Sequence, residues 1–308
     1  MAEAKLRIGS RGSDLALWQA RYTAGRMGGE PELIIIKTEG DRIQHLSLDK
    51  VEGKGFFTKE IEAALLANEI DVAVHSYKDL PIEAPPGLVI ASVPVRAPVR
   101  DVVIMRRDRI DPKLQWGLPK GARVGTSSLR RKAQLLAQRK DLVLVDLRGN
   151  VPTRLRKALT GELDAVVLAE AGVTRLGLPK EVAEKDGVMT PLPLNEVCPA
   201  PAQGALAIQT RASDTRARAA VAPLHDPATA LAVKVERDLL AHFGGGCHLP
   251  LGAFCEVKAD GSVYLRAIVA APDGAECLIA ESRAATPEAA VAEVHASLVK
   301  AGAQRYVG

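Results

Sequence analysis

Apolar residues recur along this chain in two alternating periods, and the alternation is the first guide to its fold. "LRIGS" (6–10) has the character of a short strand, and behind it in "SDLALWQARYTAGRM" Leu15, Trp18 and Tyr22 fall at helical spacing after a Ser or Asp N-cap. "LIIIKT" (33–38) predicts a buried strand from its β-branched run, "FTKEIEAALLAN" (57–68) a helix starting at Thr58, and "DVAVHS" (71–76) the next strand. The same order resumes with "ARVGTS" (122–127), "SLRRKAQLLAQR", "LVLVDL" (142–147), "VPTRLRKAL" and "AVVLAE" (165–170). Strand, crossover helix, strand, met twice, predicts two mostly parallel α/β sheets.

Two proline-rich stretches interrupt the pattern, "PIEAPPGLVIASVPVRAPVRD" (81–101) and "PLPLNEVCPAPAQG" (191–204). Two linkers around a middle segment suggest domains hinged about a cleft. Beyond them the pattern changes. The helix "PATALAVKVERDLLAHF" leads into a glycine loop, three β runs ("LGAFCEV", "SVYLRAIVAA", "ECLIAESRA") follow, and "PEAAVAEVHASLVKAG" closes the chain as a helix. The expectation is a small α+β domain with a three-stranded antiparallel sheet. The expected division is 1–98 with 199–217, 99–198, and 218–308.

Composition narrows the class. The 308 residues, 47% hydrophobic and 25% charged, suit a soluble globular protein of two or three domains. No apolar run approaches the roughly 20 residues that span a membrane. Cys198, Cys247, Cys255 and Cys277 form no CxxC pair and no metal-ligand spacing, and no secretory leader precedes them, so they read as reduced thiols of a cytoplasmic protein without a metal site. Lys and Arg number 41 against 37 Asp and Glu, so anion binding rests on local clusters. Such clusters occur in "RIGSRGSDLALWQAR", "SSLRRK" and "DLRGNVPTRLRK". Aromatic residues are 3% of the chain and none is interleaved with these arginines to stack bases, which argues against nucleic acid.

In open α/β sheets ligands bind beyond the carboxyl ends of the strands. "GTSSLRR" puts Thr126, Ser127 and Ser128 at such a turn and Arg130 and Arg131 in the first helical turn. Positive charge there opposes the helix dipole, so either an anion bridges the guanidiniums to the backbone amides or the helix start is merely basic and solvated. "RGN", with Arg148 and Gly149, repeats the arrangement. In "DVAVHSYKDLP" Lys78 and Asp79 follow a strand; Asp79 pairs with Lys78, caps a turn, or holds a cationic group. "HFGGGCHLPLG" (242–252) sets Cys247 behind three glycines, as a flexible turn with an incidental thiol or as a loop that lets a large group approach the main chain.

Taken together, "RIGSRGSDLALWQA", "GKGFFTKEIEAALL", "DVAVHSYKDLP", "GTSSLRRKAQL", "LRGNVPTRLRK", "LAEAGVTRLGL", "APAQGALAIQ" and "GGGCHLPLGAF" run in one order through nearly the whole chain. This order resembles the porphobilinogen deaminase family. The resemblance implies an α/β protein with two hinged, doubly wound domains like those of type II periplasmic binding proteins, and a third domain carrying Cys247. It implies a dipyrromethane cofactor on a thioether to Cys247, itself built from two substrate units. The implied reaction joins four porphobilinogen molecules head to tail, releases ammonia at each addition through an electrophilic azafulvene, and ends by hydrolysing off linear hydroxymethylbilane.

On matched positions the resemblance makes Asp79 the catalytic carboxylate, stabilising positive charge on a pyrrole nitrogen. It assigns Lys78, Thr126, Ser127, Ser128, Arg130, Arg131, Arg148 and Gly149 to the cofactor. Arg11, Ser13, Gln19, Arg148, Arg154 and Arg175 go to the substrate's acetate and propionate groups, and Lys54 and Phe57 to a covering segment. Cys198, Cys255 and Cys277 have no catalytic counterpart, and a monomer is implied. Asp14 stands where the family often has proline, Tyr77 where methionine is common, and Pro152 and Ala202 where glycine is usual. The alternative is a hinged small-anion binding protein without catalysis, which would need a secretory leader and has no use for Cys247.

Overall fold

The computed structural model describes residues 5–39, 58–246 and 249–307; Lys54, Phe57 and Cys247 lie outside the described residues. The chain divides into two units, Met1–Ala97 with Gly204–Leu231 and Pro98–Gln203 with Ala232–Gly308.

The first unit begins with β1 (Arg7–Ser10), α1 (Asp14–Met27), β2 (Glu32–Ile35), α2 (Lys59–Leu66), β3 (Val72–Ser76) and β4 (Leu88–Ser92). α1 starts where predicted, with the Ser13 side chain accepting the Ala16 N–H. In the second unit come β5 (Asp101–Arg106), β6 (Arg123–Gly125), α3 (Leu129–Gln138), β7 (Val143–Val145), α4 (Val151–Leu159), β8 (Ala165–Ala169), α5 (Glu170–Arg175), α6 (Leu178–Glu184) and β9 (Gly187–Pro191). β10 (Leu206–Arg211) and α7 (Thr215–Val221) then return to the first unit.

The first sheet has the order β2-β1-β3-β10-β4 and the second β7-β6-β8-β5-β9. In the first, β1 is parallel to β2 and β3, while β10 is antiparallel to β3 and β4. The second repeats this, with β6 parallel to β7 and β8 and β5 antiparallel to β8 and β9. In each sheet four strands therefore run one way and one, β10 or β5, runs against them, so both sheets are mostly parallel as expected, with one antiparallel strand apiece. The antiparallel strands were missed because their partners are remote in sequence, and β4 lies inside the proline-rich stretch read as a linker. "LIIIKT" is corrected: β2 is an edge strand, and Ile35 is 59% exposed among the described residues.

Each sheet is covered on both faces. In the first unit Ile8, Ala20, Val74 and Ile208 pack on one side, and Ile61, Leu65, Ile70 and Leu88 on the other. In the second, Ile104, Leu155, Val166 and Val182 form one layer and Val103, Val124, Leu135 and Leu192 the opposite one. Each such Val, Leu or Ile side chain contributes about 1.5–3 kcal/mol through burial. One polar chain crosses the first core. The Gln209 amide nitrogen donates to Glu62 Oε1 (3.0 Å), which leaves Gln209 Oε1 to accept from His75 Nε2 (3.1 Å). Burial pushes the His75 pKa down to about 4 against the opposing bond to Gln209, so the ring is neutral near pH 7. This chain ties α2, β10 and β3 together immediately before the segment that carries Asp79.

α8 (Pro227–His242) leads to β11 (Leu251–Val257), β12 (Val263–Ala270) and β13 (Cys277–Ala284), and α9 (Pro287–Lys300) follows. The three strands form the expected antiparallel sheet in chain order. α9 buries Val291, Val294 and Leu298. Cys198 and Cys255 are buried and Cys277 is half-buried, as expected of packing thiols.

The glycines of "GGGC" have a local reason. The Gly244 N–H donates to Ala241 O and the Gly245 N–H to Leu240 O, closing α8 with a Schellman turn. Gly244 and Gly245 sit at φ +83° and +64°, the left-handed region that a side chain disfavours. Ala202 occupies the same region at φ +63°.

Candidate active site

In the first unit the expected residues collect at the carboxyl ends of two adjacent parallel strands. Arg11 and Ser13 follow β1, and Lys78 and Asp79 follow β3 in a single 3₁₀ turn, Tyr77–Asp79. Gln19, buried in α1, donates from Nε2 to Ser76 Oγ at 2.8 Å, which fixes the last residue of β3 against the helix. The Tyr77 N–H donates to Ala205 O and the Leu80 N–H to Tyr77 O, so the turn is held at both ends. Asp79 itself is exposed, which gives its carboxylate access to a ligand.

In the second unit three parallel strands end side by side. Thr126, Ser127 and Ser128 follow β6; Arg148 and Gly149 follow β7; Arg175 closes α5 behind β8. Ser127 locks the first two ends together, its Oγ donating to Leu147 O at 2.6 Å and accepting the Leu147 N–H at 2.7 Å. Ser128 caps α3 by accepting from Arg131 N, and Asn150 caps α4 by accepting from Thr153 N, with Pro152 second in the helix after Val151, where its missing N–H breaks no helical bond. Gly149 has φ +99°, and a Cβ there would lie 2.8 Å from the Thr153 side chain. Arg154 Nε donates to Gly149 O at 2.7 Å and pins this turn.

Of the two readings of this helix start, Arg130 and Arg131 exclude the solvated one. Both are buried and share the carboxylate of Asp101, which is fully buried, at 2.8 and 2.7 Å. Arg130 also donates to Cys198 O (2.6 Å) and Arg131 to Val167 O (3.1 Å), while Gln203 Nε2 reaches Asp101 Oδ1 at 2.9 Å. Burial alone would raise the Asp101 pKa, but the two guanidiniums and these hydrogen bonds outweigh it and hold the carboxyl well below the usual range. The anion that bridges the arginines within the chain is thus Asp101. Two guanidiniums against one carboxylate leave a net positive charge, and Arg131 Nε is buried without a hydrogen-bond partner among the described residues.

Asp101 and Gln203 were not legible as site residues. Asp101 opens an apolar run thirty residues before its partners, and only the fold brings the two positions together. A direct consequence concerns stability. Asp101→Asn leaves two buried guanidiniums without a counter-charge and is expected to lower the unfolding free energy by about 3–5 kcal/mol. Urea denaturation of the purified variant checks this, and a midpoint near wild type would contradict the cluster's structural role.

Two family models match the chain: "Porphobilinogen deaminase, dipyromethane cofactor binding domain" over residues 6–219 and "Porphobilinogen deaminase, C-terminal domain" over residues 230–300. The porphobilinogen deaminase of Syntrophomonas wolfei is 43% identical over 304 residues, covering 96% of both proteins. That of Syntrophotalea carbinolica is 44% identical over 313 residues, covering 99% of this chain and 96% of the relative. Among solved structures, the periplasmic VFT2 domain of Bordetella pertussis BvgS aligns with a TM-score of 0.42 and 15% identity over 70% of this chain and 85% of that one. An arginine-specific periplasmic binding protein of Salmonella typhimurium aligns at 0.39 and 12% over 74% and 94%. With both family domains matched in order and full-length relatives above 40% identity, the chain belongs to the porphobilinogen deaminase family.

Proposed function

We propose a division of labour between the two groups of strand-end residues in the reaction this enzyme catalyses. The reaction is that of a hydroxymethylbilane synthase, a transferase that joins four porphobilinogen molecules head to tail with release of ammonia. The observation that carries the assignment of residues is the cluster after β6 and β7, where Asp101 offsets only one of two buried guanidiniums.

The described residues fit an acidic dipyrromethane. Hydroxyls of Thr126 and Ser128, the guanidinium of Arg148 and the unpartnered Arg131 Nε offer donors to carboxylates, while Ser127, its hydrogen given to Leu147 O, and Gly149, packed on Thr153, shape the turns that present them. Lys78 and Arg130 complete the set of residues assigned to it. When bound through Cys247, the dipyrromethane supplies the nucleophilic pyrrole end from which the chain grows. Arg11, Ser13, Gln19, Arg148, Arg154 and Arg175 bind the acetate and propionate of the incoming substrate and orient its ring. Gln19 does so indirectly, through Ser76. Asp79 accepts a hydrogen bond from a pyrrole N–H, stabilises positive charge on that nitrogen and relays protons. Lys54 and Phe57 cover the bound substrate.

Function is read as residing in three domains, 1–98 with 199–217, 99–198 and 218–308, in a monomer of the cytoplasm that takes a small-molecule substrate and no nucleic acid. Among the described residues no helix is long and apolar enough to cross a membrane.

Arg148 tests the binding assignment better than Arg131, because the latter also holds the fold through Asp101. Arg148→Leu removes a charge-assisted carboxylate contact of about 1.5–3 kcal/mol, an expected loss of roughly ten- to a hundredfold in binding, and Arg148→Lys recovers part of it. Steady-state bilane formation and the fraction of protein carrying cofactor are the readouts. A leucine variant that is fully loaded and turns over normally would remove Arg148 from the site.

A further inference from the structure

We propose that His242 and His295 form a binding site for a transition-metal dication of the zinc and nickel class, using none of the residues assigned to the reaction. His242 is the last residue of α8 and His295 lies in α9, in the same unit. Their ring centroids are 5.0 Å apart with the planes inclined at 53°. Two imidazoles on one metal, each nitrogen at about 2.0–2.1 Å and the angle at the metal about 90–110°, place their centroids about 4.5–5.2 Å apart. The observed separation falls inside that interval, so the two rings are spaced as two ligands of one ion would be.

Three further features suit this use. His242 Nδ1 lies 2.8 Å from Asp238 O; a carbonyl can only accept, so Nδ1 carries the hydrogen and Nε2 keeps its lone pair. Metal-ligating histidines are oriented in this way by a hydrogen bond from the other ring nitrogen. Phe243, buried, meets the His295 ring edge-on at 5.0 Å and restrains it. Finally, His242 is exposed and His295 half-buried, so an ion and its waters reach both, and the C-terminal end of α8 carries partial negative charge that favours a cation. Imidazole suits zinc, nickel and copper, whereas magnesium and calcium prefer oxygen ligands, which fixes the class of ion. Bound there, the ion would link the end of α8, where the chain turns through Gly244 and Gly245, to α9.

The test is calorimetric titration of the full-length protein with Ni²⁺ and Zn²⁺, with Mg²⁺ as control, on wild type and on His242→Gln and His295→Gln. Both variants change side chains that reach solvent, and their melting without metal establishes that they fold. The expected result is about one equivalent bound by wild type, at least about tenfold weaker binding in each variant, and no heat with Mg²⁺. A metal-dependent rise in melting temperature should accordingly appear in wild type and shrink in both variants. Unchanged binding in either folded variant, or no binding by wild type, would overturn the proposal and leave the two rings as a packing contact.

Discussion

Asp79→Asn is expected to lower turnover by on the order of a hundredfold or more while leaving substrate affinity within a few fold. The substitution keeps the size and some of the hydrogen bonding of the side chain but removes the charge that balances a cationic pyrrole. A hundredfold corresponds to about 2.7 kcal/mol of transition-state stabilisation, a reasonable share for one carboxylate aimed at developing charge. Asp79→Glu retains the charge and moves it by about one methylene, so it should keep more activity than the asparagine variant. The competing reading, a loop carboxylate that serves only the turn, predicts a modest stability change and near-normal rates. Single-turnover ammonia release and bilane formation by folded, cofactor-loaded variants separate the two. Because Asp79 is exposed at the end of a pinned 3₁₀ turn, its replacement should leave the fold intact.

Cys247→Ser is expected to abolish the covalent adduct and nearly all activity, since a hydroxyl is far less ionised than a thiol and a much poorer nucleophile. The other cysteines offer no replacement. Cys198 and Cys255 are buried, and burial pushes the thiols of Cys198 and Cys277 above their ordinary range, away from the reactive thiolate. The mass of the serine variant and its rate of bilane formation are the measurements. A variant that still carries two pyrrole units and turns over would place the attachment elsewhere.

Much of the fold was legible because its elements announce themselves locally. α1, α3, α4 and α9 carry helical spacing and capping side chains, α2 and α8 carry helical spacing, and the parallel strands lie between them. What the sequence concealed depends on remote pairing. β10 joins the first sheet far from its neighbours in the chain, and β4 is masked by prolines on either side. "LIIIKT" was misjudged for a related reason, since a β-branched run does not say whether a strand is central or at an edge. At the candidate site, the motifs placed Asp79 and the serine and arginine turns at strand ends, where the fold has them. They could not show that Arg130 and Arg131 are turned inward onto Asp101. That required the fold, because positive charge at a helix start looks the same whether its partner is a ligand or a buried carboxylate.

The intact mass of the purified wild-type protein tests the central claim most directly, that this chain builds hydroxymethylbilane on a dipyrromethane carried by Cys247. The account predicts a mass above that of the 308-residue sequence by two linked pyrrole units, with the adduct mapping to the peptide that contains Cys247. Active protein of unmodified mass, or an adduct on Cys198, Cys255 or Cys277, would contradict it.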